Sequence, residues 1–261
     1  MYDSGSLEYM VSSSYSLDYR PSAAYFSRSL VDKYGFIRTP MPGIFYAPSP
    51  SSGFSVEYDP NNGHSGNYFC AHSFSPLIFL SPSRPKARFV DGSDEAIKTA
   101  EEVFELMNGR KLPSDIAINV LTLNDFQLTH SQFGAWSRGI LGFSISGKRK
   151  LIFVKENSLD ELLMVIGHEI GHVLTETLPN RHDEEAKAFA FSVEWAKTIK
   201  NHNVANLGLN IKDCFDFRPA KNGLHDVSFS FVDFMIKKGR KALQLHDDLI
   251  KRYISVFDRI Y

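Results

Sequence analysis

The spacing of apolar and polar positions changes several times between residues 93 and 257, and each change predicts an element. Ala96, Ala100, Val103, Phe104 and Met107 share one stripe at helical spacing. Ser93 can cap that helix, Asp94 and Glu95 suit its first turn, and Asn108-Gly109 ends it. Pro113 leads into Ile116–Leu121, which predicts a strand. Two more strands follow over Gly139–Ile145 and Leu151–Val154, joined as a hairpin by Ser146-Gly147-Lys148-Arg149. The helical period returns in Leu162–Ile166, where Ser158-Leu159-Asp160-Glu161 reads as a capping box and Pro179 closes the region. A second helix follows through Ala186–Ala196. Val227–Phe257 reads as helical, broken at Gly239, with Ala242, Leu245, Leu249, Tyr253 and Val256 at core spacing. The order predicts an α+β fold: an N-terminal helix, a small mixed three-stranded sheet, two further helices and a C-terminal helical region.

Residues 1–88 have a different texture, rich in Ser, Tyr, Phe, Pro and Gly. Their aromatic content is too high for a plain linker. Gly43–Tyr46 and Leu77–Leu80 suit edge strands or segments packed across the rest of the chain, and a tail, a lid or a β-rich addition all fit this composition. His64 and His72 read as loop residues. The expected division is therefore 1–88 and 89–261.

With 261 residues, 43% hydrophobic and 23% charged, the chain can bury a sizeable core. A net charge of −1 gives no footprint for nucleic acid or an anionic membrane. No apolar run reaches the length of a span, and Met1–Gly5 begins no leader of the usual kind. Cys70 and Cys214 are far apart and lie outside any metal-ligand spacing, which favours a reducing compartment. The expectation is a soluble, cytoplasmic protein.

Candidate chemistry gathers in Gly167-His168-Glu169-Ile170-Gly171-His172. Helical residues four apart lie one turn above the other, so His168 and His172 can aim two imidazoles at one ion. Such a pair suits Zn²⁺, and Glu169 beside it suits a general base that takes a proton from water.

A catalytic zinc needs a third protein ligand. Four candidates stand together: His182, Asp183, Glu184 and Glu185. On a helical wheel Glu185 shares the face of Ala188, Phe189, Ser192, Val193, Ala196 and Ile199, and it is the leading choice. Asp183 falls with Lys187, Glu194 and Lys197, which reads as a solvated face, and it also suits an N-cap. Glu184 lies between the two faces and is the reserve. His182 precedes the helix.

These residues resemble the gluzincin class of zinc metallopeptidases, and the pairing of His168–His172 with Glu184–Ala190 is most similar to the compact minigluzincin and ImmA/IrrE-like groups. The resemblance covers roughly residues 93–200. It implies a zincin-like fold, one Zn²⁺ per chain held by His168, His172 and an acid, most simply Glu185, and hydrolysis of a peptide or protein substrate with Glu169 as base. The sequence departs from the pattern in one respect: where related families carry an Asp or Asn four residues after the ligand glutamate, it has Phe189, or Ala188 if Glu184 is the ligand. Support for the histidines must come from elsewhere. Thr175 and Leu178 exclude the metzincin pattern.

A strand of the hairpin beside the metal helix could accept an extended peptide at its edge. His202, His225, His246 and Tyr253 are candidate donors to a developing oxyanion. Two alternatives remain open: a non-catalytic binding or regulatory protein on the same scaffold with a structural metal, and residues 1–88 acting as an inhibitory segment.

Overall fold

The computed structural model describes residues 68–70, 74–147, 149–215 and 223–258. The chain divides into two compact units, Met1–Pro60 and Asn61–Tyr261, and the described residues all belong to the second. Gly43–Tyr46, His64 and His72 lie outside the described residues.

The architecture is α+β. A four-stranded sheet has the order β1 (Tyr68–Cys70), β4 (Gly142–Ser146), β5 (Lys150–Lys155), β3 (Ile116–Leu121). The predicted hairpin is present, since β4 and β5 pair antiparallel with Phe143 opposite Phe153. β3 joins β5 in parallel and buries Ile116, Ile118 and Val120 on one face. β1 adds antiparallel to the outer side of β4, with Cys70 opposite Ser144. A smaller sheet joins β2 (Phe89–Val90) to β6 (Asn157–Ser158).

Helix α1 (Ser93–Asn108) ends as expected at Gly109, whose φ of +66° is the left-handed conformation that glycine adopts without cost. Its start differs. Gly92 holds the N-cap position, and Ser93 Oγ instead accepts a hydrogen bond from the Val120 amide at 3.0 Å. A short helix α2 (Leu123–His130) follows β3 and escaped the pattern, because eight residues carry too few repeats to show a period.

The helix that carries His168, Glu169 and His172 is α3 (Leu159–Val173), buried almost all round. Such a helix must be covered on both sides. The sheet covers one side and α4 (Arg181–His202) the other, after a turn of seven residues. Ser158 is the N-cap residue but its hydroxyl caps no amide: Asp160 accepts from the Glu161 amide, and Glu161 accepts from Arg84 and Asn157. The predicted capping box is thus not formed.

Helices α5 (Leu224–Lys237) and α6 (Ala242–Ile250) pack on α4. The break falls at Gly239, with φ +93°, as expected. Tyr253 is exposed rather than in the core, since the helix ends at Ile250. Leu77–Leu80 forms a 3₁₀ turn (Pro76–Ile78) and one bridge from Leu80 to Ile211 instead of a strand, yet Phe79 and Leu80 are fully in the core. Cys214 is an exposed free thiol. Among the described residues no helix is long and apolar enough to cross a membrane.

Candidate metal centre

Close approach of α3 and α4 creates the site. A Cβ built on Gly171 would lie 2.9 Å from Ala188 Cα, and one on Gly167 would meet the Trp195 ring at 2.5 Å. The absence of side chains there lets the two helices settle against each other, and the Trp195 indole N–H donates to the Leu163 carbonyl at 2.9 Å. Gly142 does the same for the sheet, since a Cβ there would meet Val165 at 2.4 Å and the Glu169 carboxylate at 3.3 Å.

His168 and His172 then face each other, Nε2 to Nε2 at 3.2 Å. Glu185 from α4 lies opposite, with Oε2 3.4 Å from His168 Nε2 and Oε1 3.7 Å from His172 Nε2. His225 from the first turn of α5 brings its Nε2 to 3.0 Å from Glu185 Oε2. His168, Glu185 and His225 form a buried group, all within 4.8 Å of one another, that could hold a metal ion. Glu169 is buried beside them.

The Nδ1 sides of the two ligand rings are also occupied. Ser192 Oγ donates to the Ala188 carbonyl at 2.7 Å, which leaves its lone pair to accept from His168 Nδ1 at 3.3 Å. His172 Nδ1 donates to Glu184 at 2.8 Å. Both rings therefore direct Nε2 into the centre, the arrangement that a metal-binding imidazole requires.

Glu184, the reserve candidate, lies on the Nδ1 side of His172, outside the group, and orients that ring. It also accepts from the Leu178 amide at 2.8 Å and pairs with Lys187 at 2.9 Å. Lys187 was expected on a solvated face, yet it is 0% exposed, and its ammonium also donates to the carbonyls of His172 and Glu176. The acid at 184 and the lysine one turn later were the sequence signal for this pair.

Asp183 does not cap α4. Asn180 does, accepting from the His182 amide, while Asp183 accepts from Ser255 Oγ and the Val256 amide. His182 packs on the Phe257 ring at 4.8 Å and stays outside the group. His202 is exposed at the end of α4, and His246 is buried against Phe191, away from the group. Phe189, which stands in place of the expected polar residue, packs between His168 at 4.9 Å and His225 at 5.7 Å. Phe74 stacks on the His168 ring at 4.2 Å, a contact no local pattern announces.

Burial pushes His168 down to about 3, so it is neutral. Burial also presses His172 downward, but Glu185, Glu184 and Glu169 outweigh it and carry it up to about 9. Burial raises Glu169 to about 7, against the pull of His172 and a hydrogen bond from Ser144. Glu185 stays well below the usual carboxylate range, because His172, His168 and His225 overcome burial. Glu184 is lowered in the same way by His172 and Lys187. Cationic His172 and Lys187 thus stand against Glu184, Glu185 and a Glu169 poised near neutrality, and a divalent cation could take the place of the His172 proton among these buried carboxylates. Glu169 Oε2 is buried and has no hydrogen-bonding partner among the described residues. Donor types, converging Nε2 atoms and the buried carboxylates all fit a metal ion.

No family model, curated protein or solved structure matches the chain, so the functional reading rests on its own geometry.

Proposed function

We propose that this protein is a zincin-like, zinc-dependent metallopeptidase in which His168, His172 and Glu185 hold the ion and Glu169 is the general base. The observation that carries the reading is the meeting of two Nε2 atoms from one helix and one carboxylate from the next at 3.2–3.7 Å, with a base adjacent. Bound zinc would supply polarisation of a carbonyl and a lowered pKa for nearby water. Glu169, raised to about 7, can take a proton from water at its carboxylate and return it to a leaving amine at neutral pH. Gly142 brings β4 against Glu169, but β1 and β5 flank that strand, so neither strand of the hairpin offers the open edge expected for an extended peptide unless β1 leaves.

Glu169→Gln tests the proposal: metal content and fold should persist while cleavage of a peptide library disappears. Retained cleavage would remove Glu169 from the chemistry. A second reading, a non-catalytic binding protein with a structural metal, draws on the burial of every ligand side chain, none more than 4% exposed. Under that reading wild type cleaves nothing and Glu169→Gln leaves partner binding unchanged.

A further inference from the structure

We infer that His225 is a fourth protein ligand of this centre, so that in the conformation described here the protein alone completes the ion's coordination. The inference rests on the metal-site reading above and adds a residue to it.

Ligand atoms at about 2.0–2.1 Å from a tetrahedral zinc stand roughly 3.3 Å from one another. The Nε2 atoms of His168 and His172 are 3.2 Å apart, His168 and Glu185 3.4 Å, His172 and Glu185 3.7 Å, and His225 and Glu185 3.0 Å. These four of the six separations bracket the edge of such a tetrahedron; His225 lies within 4.8 Å of His168, while His172 stands outside that tighter group and would close toward His225 around an ion. His225 and His168 both approach Glu185 Oε2, while His172 approaches Oε1, so the carboxylate has imidazoles at both oxygens.

Packing holds His225 where it is. Its ring meets Phe189 edge-on at 5.7 Å and His168 at 6.2 Å. One turn later on α5, Phe229 packs on Phe189 at 5.2 Å and Ser228 donates to the His182 carbonyl at 2.9 Å. The helix start is thus fastened to both ends of the segment that carries Glu185, and the imidazole is a buried donor aimed at the centre.

A catalytic zinc site keeps one position for water, whereas four protein ligands make a closed, structural type of site. In the arrangement described here His225 would occupy that position on a bound ion, so water could reach the ion beside Glu169 only if His225 left it. The contrasting role for His225 is to donate from Nε2 to Glu185 and only orient it.

Azide titration of the cobalt-loaded full-length chain, followed in visible absorption, separates these roles, because azide binds an ion only at an open position. Wild type should take up one Co²⁺ per chain, with bands that azide leaves unmoved. His225→Ala and His225→Gln should each gain an azide-dependent band shift and lose zinc affinity by at least about tenfold, the lower bound seen even for groups that only support a ligand. An azide shift of the same size in wild type would overturn the inference while leaving the metal site standing. If wild type binds no more metal than His168→Ala, both the inference and the metal reading fail. Should either His225 variant misfold by circular dichroism, the wild-type titration alone still decides.

Discussion

Glu184 and Glu185 are neighbours in the chain yet hold opposite sides of one imidazole: Glu184 accepts from His172 Nδ1 at 2.8 Å, while Glu185 lies 3.7 Å from Nε2. One acid orients the ring and the other shares its ligand face.

Glu184→Gln is therefore expected to keep a stoichiometry of one metal at saturation but to weaken affinity about 10- to 100-fold, as removal of a supporting group does. Competition against a chromophoric chelator measures this. Glu185→Gln should instead abolish binding at any accessible concentration, and equal effects at both positions would contradict the division.

Lys187→Met removes the cation buried against Glu184 and leaves that acid with only the His172 ring and the Leu178 amide as partners among the described residues. The expected cost is about 3–5 kcal/mol in chemical unfolding. Adding Glu184→Gln to Lys187→Met should recover part of the loss, since the stranded charge is then gone. A double variant no better than the single would place the lysine's contribution in its bonds to the His172 and Glu176 carbonyls.

Gly171→Ala puts a methyl 2.9 Å from Ala188 Cα, and backbone cannot give way as a side chain can. The helices must part, at about 1–3 kcal/mol. A lowered melting temperature together with weaker metal binding is expected, because Glu185 rides on the displaced helix.

Asp160 contributes to the pH dependence of stability from outside the candidate centre, where Glu184 and Glu185 are also held low. Burial alone would raise its pKa, but hydrogen bonds from Ser158, Asn210, the Glu161 amide and Arg84 outweigh burial and hold it below the ordinary value of 3.8. Its contribution is thus fully present above that value and fades as acid drives the pH down through the folded-state pKa. Asp160→Asn should flatten the acid limb of a stability–pH curve below about pH 4 and lower neutral stability by about 2 kcal/mol. An unchanged acid limb would assign acid sensitivity elsewhere.

The sequence made local order legible and left long-range contacts hidden. β3 begins and ends where its apolar run does, and Gly109 and Gly239 mark the breaks that their backbone freedom permits. The wheel put Glu185 on one face with Ser192, and both side chains do lie against His168. It failed for Lys187, because a wheel assigns faces to a lone helix and α4 is covered on nearly every side. Phe74 and His225 reach His168 and Glu185 from 94 and 40 residues away. No periodicity reports contacts of that range; only the packed fold brings them together.

The three residues of β1 have one more consequence. By pairing along β4 they satisfy backbone donors and acceptors that would otherwise face outward at Ser144–Ser146. Bare strand edges recruit strands from other molecules. Release of Tyr68–Cys70 would therefore create an adhesive border beside Glu169, equally suited to an extended peptide and to another copy of the sheet, so the same short segment guards against aggregation.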